Sequence, residues 1–188
     1  MKRIQIFIAC LALILMGIKL DASENYPQIE IVTTSGTIVV ELDRNRAPKT
    51  VENFLNYVQS GAYVGTIFHR VIPGFVIQTG GYDVNLNEID TLPEIINESG
   101  NGLKNQRMSL GMARTNDPHS GSSQFYINLN DNFSLDPMPT RWGYAVFGDV
   151  IDGFSVVDDI ASNATQTTKG FQDVPVAPII ILEVNRTD

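Results

Sequence analysis

Cysteine is all but missing from this chain: the only one, Cys10, lies in an apolar stretch near the N-terminus. A thiol there is too isolated to close a disulfide and too early for lipid attachment. No covalent framework is expected, and a hydrophobic core must supply the stability. Histidine is nearly as scarce. His69 and His119 are the only two, and neither has a partner at metal-ligand spacing, so no metal and no cofactor is expected. Positive charge is also short, with 13 Lys and Arg against 21 Asp and Glu for a net charge of −8. Such a surface repels phosphate backbones and anionic headgroups, which argues against nucleic acid or a membrane surface as partner. With no heptad seam and no repeat, the expected state is a monomer.

One long apolar run is present, at residues 4–18, preceded by Lys2 and Arg3 and interrupted only by Gln5 and Gly17. At about 15 residues it falls short of the roughly 20 that a membrane-spanning helix needs. Basic residues followed by a run of this length read as a secretory signal. The expectation is export to the periplasm, with residues 1–22 removed after Ala22 and a domain at 23–188 left behind. Secretion and an uncleaved membrane tether are the alternatives. Losing Lys2, Arg3, Lys19 and Asp21 would leave that domain more acidic still. A chain that is 43% hydrophobic, with 15 Gly and 9 Pro, has the composition of one ordinary globular domain.

From Gln28 the pattern alternates around Ile29 and Ile31, turns at Ser35-Gly36 and continues through β-branched residues to Leu42, which predicts a β-hairpin. Val51, Phe54, Leu55 and Val58 recur at helical spacing between Pro48 and Gly61, which predicts an amphipathic helix with both ends marked. Strands are expected at residues 67–71, 75–79, 108–113, 124–129, 144–150 and 179–184, and a second, shorter helix at 153–162. Asp149, Asp152, Asp158 and Asp159 read as the solvated flank of that helix rather than a calcium loop. So many strands with two helices and no βαβ rhythm favour a mainly β fold, a closed antiparallel barrel whose ends the helices cap.

The most informative stretch is residues 63–81. Phe68-His69-Arg70 is followed by Pro73-Gly74-Phe75, Gln78 and Gly80-Gly81, which gathers a cation, an aromatic and an amide within nine positions. Alternation from Phe75 onward would place Phe75 and Ile77 on one face and Val76 and Gln78 on the other. The stretch resembles the cyclophilin signature. A second block, Gly111-Met112-Ala113-Arg114-Thr115 followed by Ser123-Gln124-Phe125-Tyr126-Ile127-Asn128, is similar to another family hallmark. Tyr144-Ala145-Val146-Phe147-Gly148 resembles a third. The Met-Ala-Arg-Thr form and Tyr144 look like the bacterial periplasmic branch.

The resemblance implies an eight-stranded antiparallel barrel with two capping helices and a shallow peptide groove on one face. It also implies peptidyl-prolyl cis-trans isomerase activity on proline-containing peptides and unfolded exported proteins. Carried over position by position, Arg70 matches the catalytic arginine and Gln78 the substrate-orienting glutamine. Phe75, Val76, Tyr126 and Leu135 match the walls of the proline pocket, and Tyr144 closes its far side. Ala113, Arg114 and Gln124 match the adjoining peptide groove. Three positions depart from the usual pattern: Val76 stands where Met is common, Tyr126 where Phe is usual, and Ser134 where Trp or Phe precedes the pocket leucine. A shorter Val leaves room and a phenol needs a hydrogen-bond partner, so altered substrate preference and weaker binding of cyclosporin-like ligands are expected. Phe133 would be aimed elsewhere by alternation. His69 is expected to pack or hydrogen-bond beside Arg70, while His119 has no evident role.

This chemistry makes no bond and breaks none. Rotation about an Xaa-Pro bond is opposed by amide resonance, a barrier of roughly 18 to 20 kcal/mol. A catalyst has to favour the twisted amide by aiming a donor at the prolyl nitrogen as it regains its lone pair. A guanidinium, permanently charged and without acceptors, suits that task. Two other classes stay open at this point: a peptide-binding module or chaperone with weak catalysis on the same fold, and a barrel carrying a small molecule in an apolar cavity.

Overall fold

The computed structural model describes residues 24–187. The expected signal segment, with Cys10, lies outside the described residues. The chain opens on the hairpin of β1 (Gln28–Thr33) and β2 (Gly36–Leu42). Alternation sends Ile29, Ile31, Ile38, Val40 and Leu42 inward, and the register sets Ile29 opposite Val40 and Ile31 opposite Ile38. Directly opposed residues share a face of the sheet, so each pair adds one unit to the core.

The first helix, α1 (Pro48–Ser60), starts on Pro48 and ends at Gly61, whose φ of 72° is left-handed, as the sequence leads one to expect. It buries Val51, Phe54 and Tyr57, and the Phe54 ring meets Phe125 edge-on at 5.1 Å. Its N-cap residue is Ala47, which has no side-chain acceptor to offer. The Glu98 carboxylate does the capping from a distant loop, accepting the Lys49 and Thr50 backbone N–H groups at 3.1 and 2.8 Å and the Thr50 hydroxyl at 2.7 Å. A carboxylate there satisfies two orphan donors and opposes the positive end of the helix dipole.

Six further strands complete the main sheet: β3 (Arg70–Ile72), β4 (Val76–Thr79), β5 (Ser109–Met112), β6 (Phe125–Asn128), β7 (Val146–Asp152) and, at the far end of the chain, β10 (Ile181–Arg186). The short helix α2 (Phe154–Ala161) follows β7 and buries Val157 and Ile160. An additional two-stranded ribbon, β8 (Thr165–Thr168) and β9 (Phe171–Pro175), falls in a segment that carried no strand expectation, because its residues are largely polar and half-exposed. All pairings in the eight-stranded sheet are antiparallel, in the order β10-β1-β2-β7-β5-β6-β4-β3. Its interior is filled by one cluster in which Ile31, Ile38, Leu42, Phe125 and Phe147 are buried, unlike the hollow interior of a small-molecule carrier.

The expected closed barrel is corrected to an open ladder. The edge strands β10 and β3 do not pair along their length; an isolated bridge, Ile67 to Ile180, joins the two edges, with Phe68 N–H donating to Ile179 O at 3.0 Å and Ile181 N–H to Thr66 O at 2.8 Å. The segment leading into β3 is too short for more. Residues 61–65 form turns, with Gly61 and Gly65 left-handed, so Thr66 and Ile67 make single bridges to Asp83 and Ile180, with Ile67 N–H donating to Tyr82 O at 3.0 Å, rather than a ladder.

The acidic residues near α2 are also less uniform than a solvated flank. Asp149 lies half-buried on β7, where burial first, and the nearby Asp43 and Glu41 charges after it, raise its pKa. Asp158 is held by Arg107 at 2.6 Å.

Candidate active site

One row of the sheet carries the centre of the site. Arg70 on β3 is directly opposite Gln78 on β4, Gln78 is opposite Tyr126 on β6, and Tyr126 is opposite Gly111 on β5. The next row, Val71, Ile77, Ile127 and Leu110, points the other way and is fully buried. Strand parity thus sorts the same short segments into a core face and a working face.

On the working face is an open cavity of about 170 Å³ lined by Arg70, Val76, Gln78 and Tyr126, with Phe75 and Leu135 completing the apolar wall. Ala113, Arg114 and Tyr144 close its other side. Nine of the ten expected residues therefore meet at one cavity, although they come from segments spread over residues 70–144. Gln124 does not line it; it lies on a neighbouring cavity of about 270 Å³. Phe75 corrects the alternation expected of it. It sits in the Pro73-Gly74 turn, donating its N–H to Ile72 O at 3.0 Å before β4 begins, and so joins Val76 and Gln78 rather than Ile77. Phe133 is 53% exposed and, like Ser134, forms no part of this lining. It belongs to a 3-10 turn, Phe133–Leu135, so strand alternation is not what turns it away.

The phenol at Tyr126 has its partner, in a residue that sequence reasoning missed. Tyr126 O–H donates to Asn105 Oδ1 at 2.7 Å. Asn105 is fully buried, and its backbone and side-chain N–H groups donate to Asp136 Oδ1 at 2.9 and 3.0 Å. Asn132 continues the system on the other side, donating to Asn128 Oδ1 at 2.8 Å and to the Phe75 carbonyl at 2.8 Å. Asn128 Nδ2 in turn donates to Ser109 Oγ at 2.9 Å. The hydroxyl of Tyr126 is therefore turned into the protein, and the ring alone forms the pocket floor. Gly111 makes the space for it, because a β-carbon there would fall 2.2 Å from Tyr126 Cζ. Nothing local marks Asn105: an Asn between Lys104 and Gln106 in an irregular stretch reads as a loop residue.

Comparison with known proteins agrees with this geometry. The family model described as cyclophilin type peptidyl-prolyl cis-trans isomerase/CLD matches residues 28–186. The chain belongs to the cyclophilin family. It is 53% identical over 156 residues to the peptidyl-prolyl cis-trans isomerase cyp18 of Streptomyces antibioticus, covering 81% of this chain and 94% of that one. To peptidyl-prolyl cis-trans isomerase B of Escherichia coli (strain K12) it is 47% identical, with the same shares covered. Among solved structures, the cyclophilin type isomerase of Cryptosporidium parvum crystallised with the dipeptide Ala-Pro superposes with a TM-score of 0.71 at 28% identity, covering 86% of this chain and 99% of that one. This cyclophilin is accordingly a peptidyl-prolyl cis-trans isomerase with the mainly β fold of its family.

Two chains of contacts set the geometry around the cyclophilin's pocket. Arg70 Nη1 donates to Gln78 Oε1 at 3.2 Å, and Gln78 Nε2 donates to Gln124 Oε1 at 2.9 Å. Gln78 is thus held at both ends of its amide, which identifies its oxygen and nitrogen, while the rest of the Arg70 guanidinium has no protein partner among the described residues. Arg114 serves the opposite wall. Its Cζ lies 4.4 Å from the centre of the Tyr144 ring, and its N–H groups donate to the carbonyls of Gly143, Thr115 and Trp142 at 3.1, 2.8 and 3.0 Å. A guanidinium spent on a ring face and three carbonyls acts as a brace for the segment that carries Tyr144. His119, without an evident role in the sequence, accepts the Asn97 N–H at 3.1 Å and packs edge-on against Trp142.

His69 lies next to Arg70 in the chain, buried, with its ring edge-on to Tyr82 at 4.8 Å and its Nδ1 without a hydrogen-bond partner among the described residues. Burial above all, with the adjacent Arg70 charge, holds its pKa down at about 4, against the opposing pull of the Ile67 backbone and the Gln124 amide. Its effect on stability follows from the sign. Between about pH 6.5 and 4 the unfolded chain takes up a proton that folded His69 refuses, so stability falls as pH falls through that window, by up to roughly 3 kcal/mol. Denaturant midpoints measured at pH 7 and pH 4 should show that loss, and a His69→Gln variant should show a smaller one. Equal losses in the two proteins would remove His69 as the cause.

Proposed function

We propose that this cyclophilin isomerises Xaa-Pro bonds in extended, unfolded segments of exported polypeptides, with Arg70 as its catalytic residue. The observation that carries the reading is the guanidinium at the rim of an apolar-walled cavity, with donors left over and an amide clamped beside it. In this reading the proline ring enters between Phe75, Val76, Tyr126 and Leu135. Gln78 holds one side of the amide and lets the other turn, and Arg70 donates to the prolyl nitrogen as it becomes pyramidal. No base, nucleophile or metal is needed, since no proton changes hands. Export is supported by the basic residues and apolar run of residues 2–18.

The deciding experiment follows cis-to-trans exchange of a proline-containing peptide by NMR with the purified protein, together with fractionation of the producing cells. Catalysed exchange, and protein recovered outside the cytoplasm with its N-terminus at Ser23, are expected. Peptide binding without faster exchange would replace the enzyme by a peptide-binding module. Recovery in the cytoplasm with Met1 retained would overturn export and the substrate class with it.

A further inference from the structure

The neighbouring cavity of about 270 Å³ shares Gln78, Ala113 and Arg114 with the proline pocket, so the two form one groove. Its charge is lopsided. Glu88 and Glu94 both line it, and among the described residues neither carboxylate has an ion pair. Arg114 is the one cation in the lining, and its guanidinium is already committed to the Tyr144 ring and three carbonyls. The other lining groups are neutral hydroxyls and amides such as Thr91, Ser122 and Gln124. The backbone presenting the acids is anchored: Glu88 bridges Tyr82, and Ile95, next to Glu94, bridges Gly121 with its N–H on Gly121 O at 2.9 Å.

From this arrangement we infer that Glu88 and Glu94 are specificity-determining residues that select a lysine or arginine side chain two positions from the substrate proline. The inference rests on the isomerase reading of the adjoining pocket. Side chains in an extended peptide alternate, so the residue two positions from a proline seated in the pocket points to the same side, and the shared wall makes this cavity its destination. A long cationic side chain can lay its methylenes along Ala113 and bring its charge between two free carboxylates. Exposed ion pairs are individually weak, so the gain is modest: about three- to tenfold in kcat/KM.

The test uses the purified protein and peptides of one framework carrying Lys, Gln or Glu two positions before the proline, and a second series with the same changes two positions after it. At low salt the Lys peptide of one series should be isomerised about three- to tenfold more efficiently than its Gln counterpart, with the Glu peptide below both. The ratio should collapse in Glu88→Gln/Glu94→Gln. It should persist in Glu52→Gln/Glu183→Gln, which removes the same charge from α1 and β10. Equal kcat/KM for Lys and Gln in both series, or a ratio that survives in the groove variant, overturns the inference while leaving the enzyme standing. A protein that accelerates none of the peptides overturns the isomerase reading itself.

Discussion

Replacing Arg70 by alanine is expected to lower kcat/KM for a proline peptide by about one to two powers of ten, with the fold intact. The magnitude follows from the loss of one charge-assisted hydrogen bond to the reacting nitrogen, about 1.5 to 3 kcal/mol, at roughly 1.4 kcal/mol per factor of ten. Gln78 would contribute to the loss, because Arg70 Nη1 is one of its two anchors. Stability should change little: Arg70 is only half-buried, and no ion pair holds it among the described residues. Arg70→Lys separates charge from geometry. Lysine keeps the charge but not the planar fork, so it should fall between wild type and alanine. Exchange rates from NMR line shapes, beside thermal melts of each variant, provide the measurement. An alanine variant of wild-type activity would take the catalytic role away from Arg70.

The largest effect on stability is expected at Asn105. Asn105→Leu leaves the Tyr126 hydroxyl without its acceptor and withdraws two donors from the buried Asp136 carboxyl: the side-chain N–H directly, and the backbone N–H through displacement of the loop. Orphaned buried groups cost about 1 to 3 kcal/mol each, so a loss of about 2 to 4 kcal/mol is expected. For a domain of this size that is a fall in Tm of about 5 to 15 °C. The pocket should loosen with it, because Asn105 links Tyr126 in its floor to the turn carrying Leu135, and KM should rise. Adding Tyr126→Phe to Asn105→Leu removes the orphaned hydroxyl and should recover part of the stability, a non-additivity expected only if the two side chains interact directly. A Tm within about 2 °C of wild type for Asn105→Leu would show that the network contributes little.

Much of the site was legible because its residues lie close together in the chain or in recognisable blocks. Arg70, Phe75, Val76 and Gln78 fall within nine positions on two short strands and their turn, where period-2 alternation already separates Ile77 from Gln78. Phe75 escaped that rule for a physical reason: a turn residue has no strand parity. Gln124, expected in the adjoining groove, lines the cavity next to the proline pocket, where its Oε1 accepts from Gln78 Nε2 and Gly81 leaves it room, since a β-carbon there would stand 2.6 Å from it. Tyr126 posed its question in the sequence, a phenol in need of a partner. The answer came from Asn105, 21 residues away, in a loop without periodicity or turn chemistry to announce it.

By itself, the sequence determined the β1–β2 hairpin, α1 with its Pro48 and Gly61 ends, the core faces of the strands and the family, because each depends on neighbours a few residues apart: side-chain period, backbone freedom and compact motifs. Only the tertiary structure decided that Glu98 caps α1, that Asn105 anchors the pocket floor, that the turns at residues 61–65 leave the ladder open, and that Glu88 and Glu94 line the groove beside the proline pocket. Those outcomes depend on which polar groups burial forces together across long stretches of chain, and hydrogen bonds of that kind leave no period in the sequence to read.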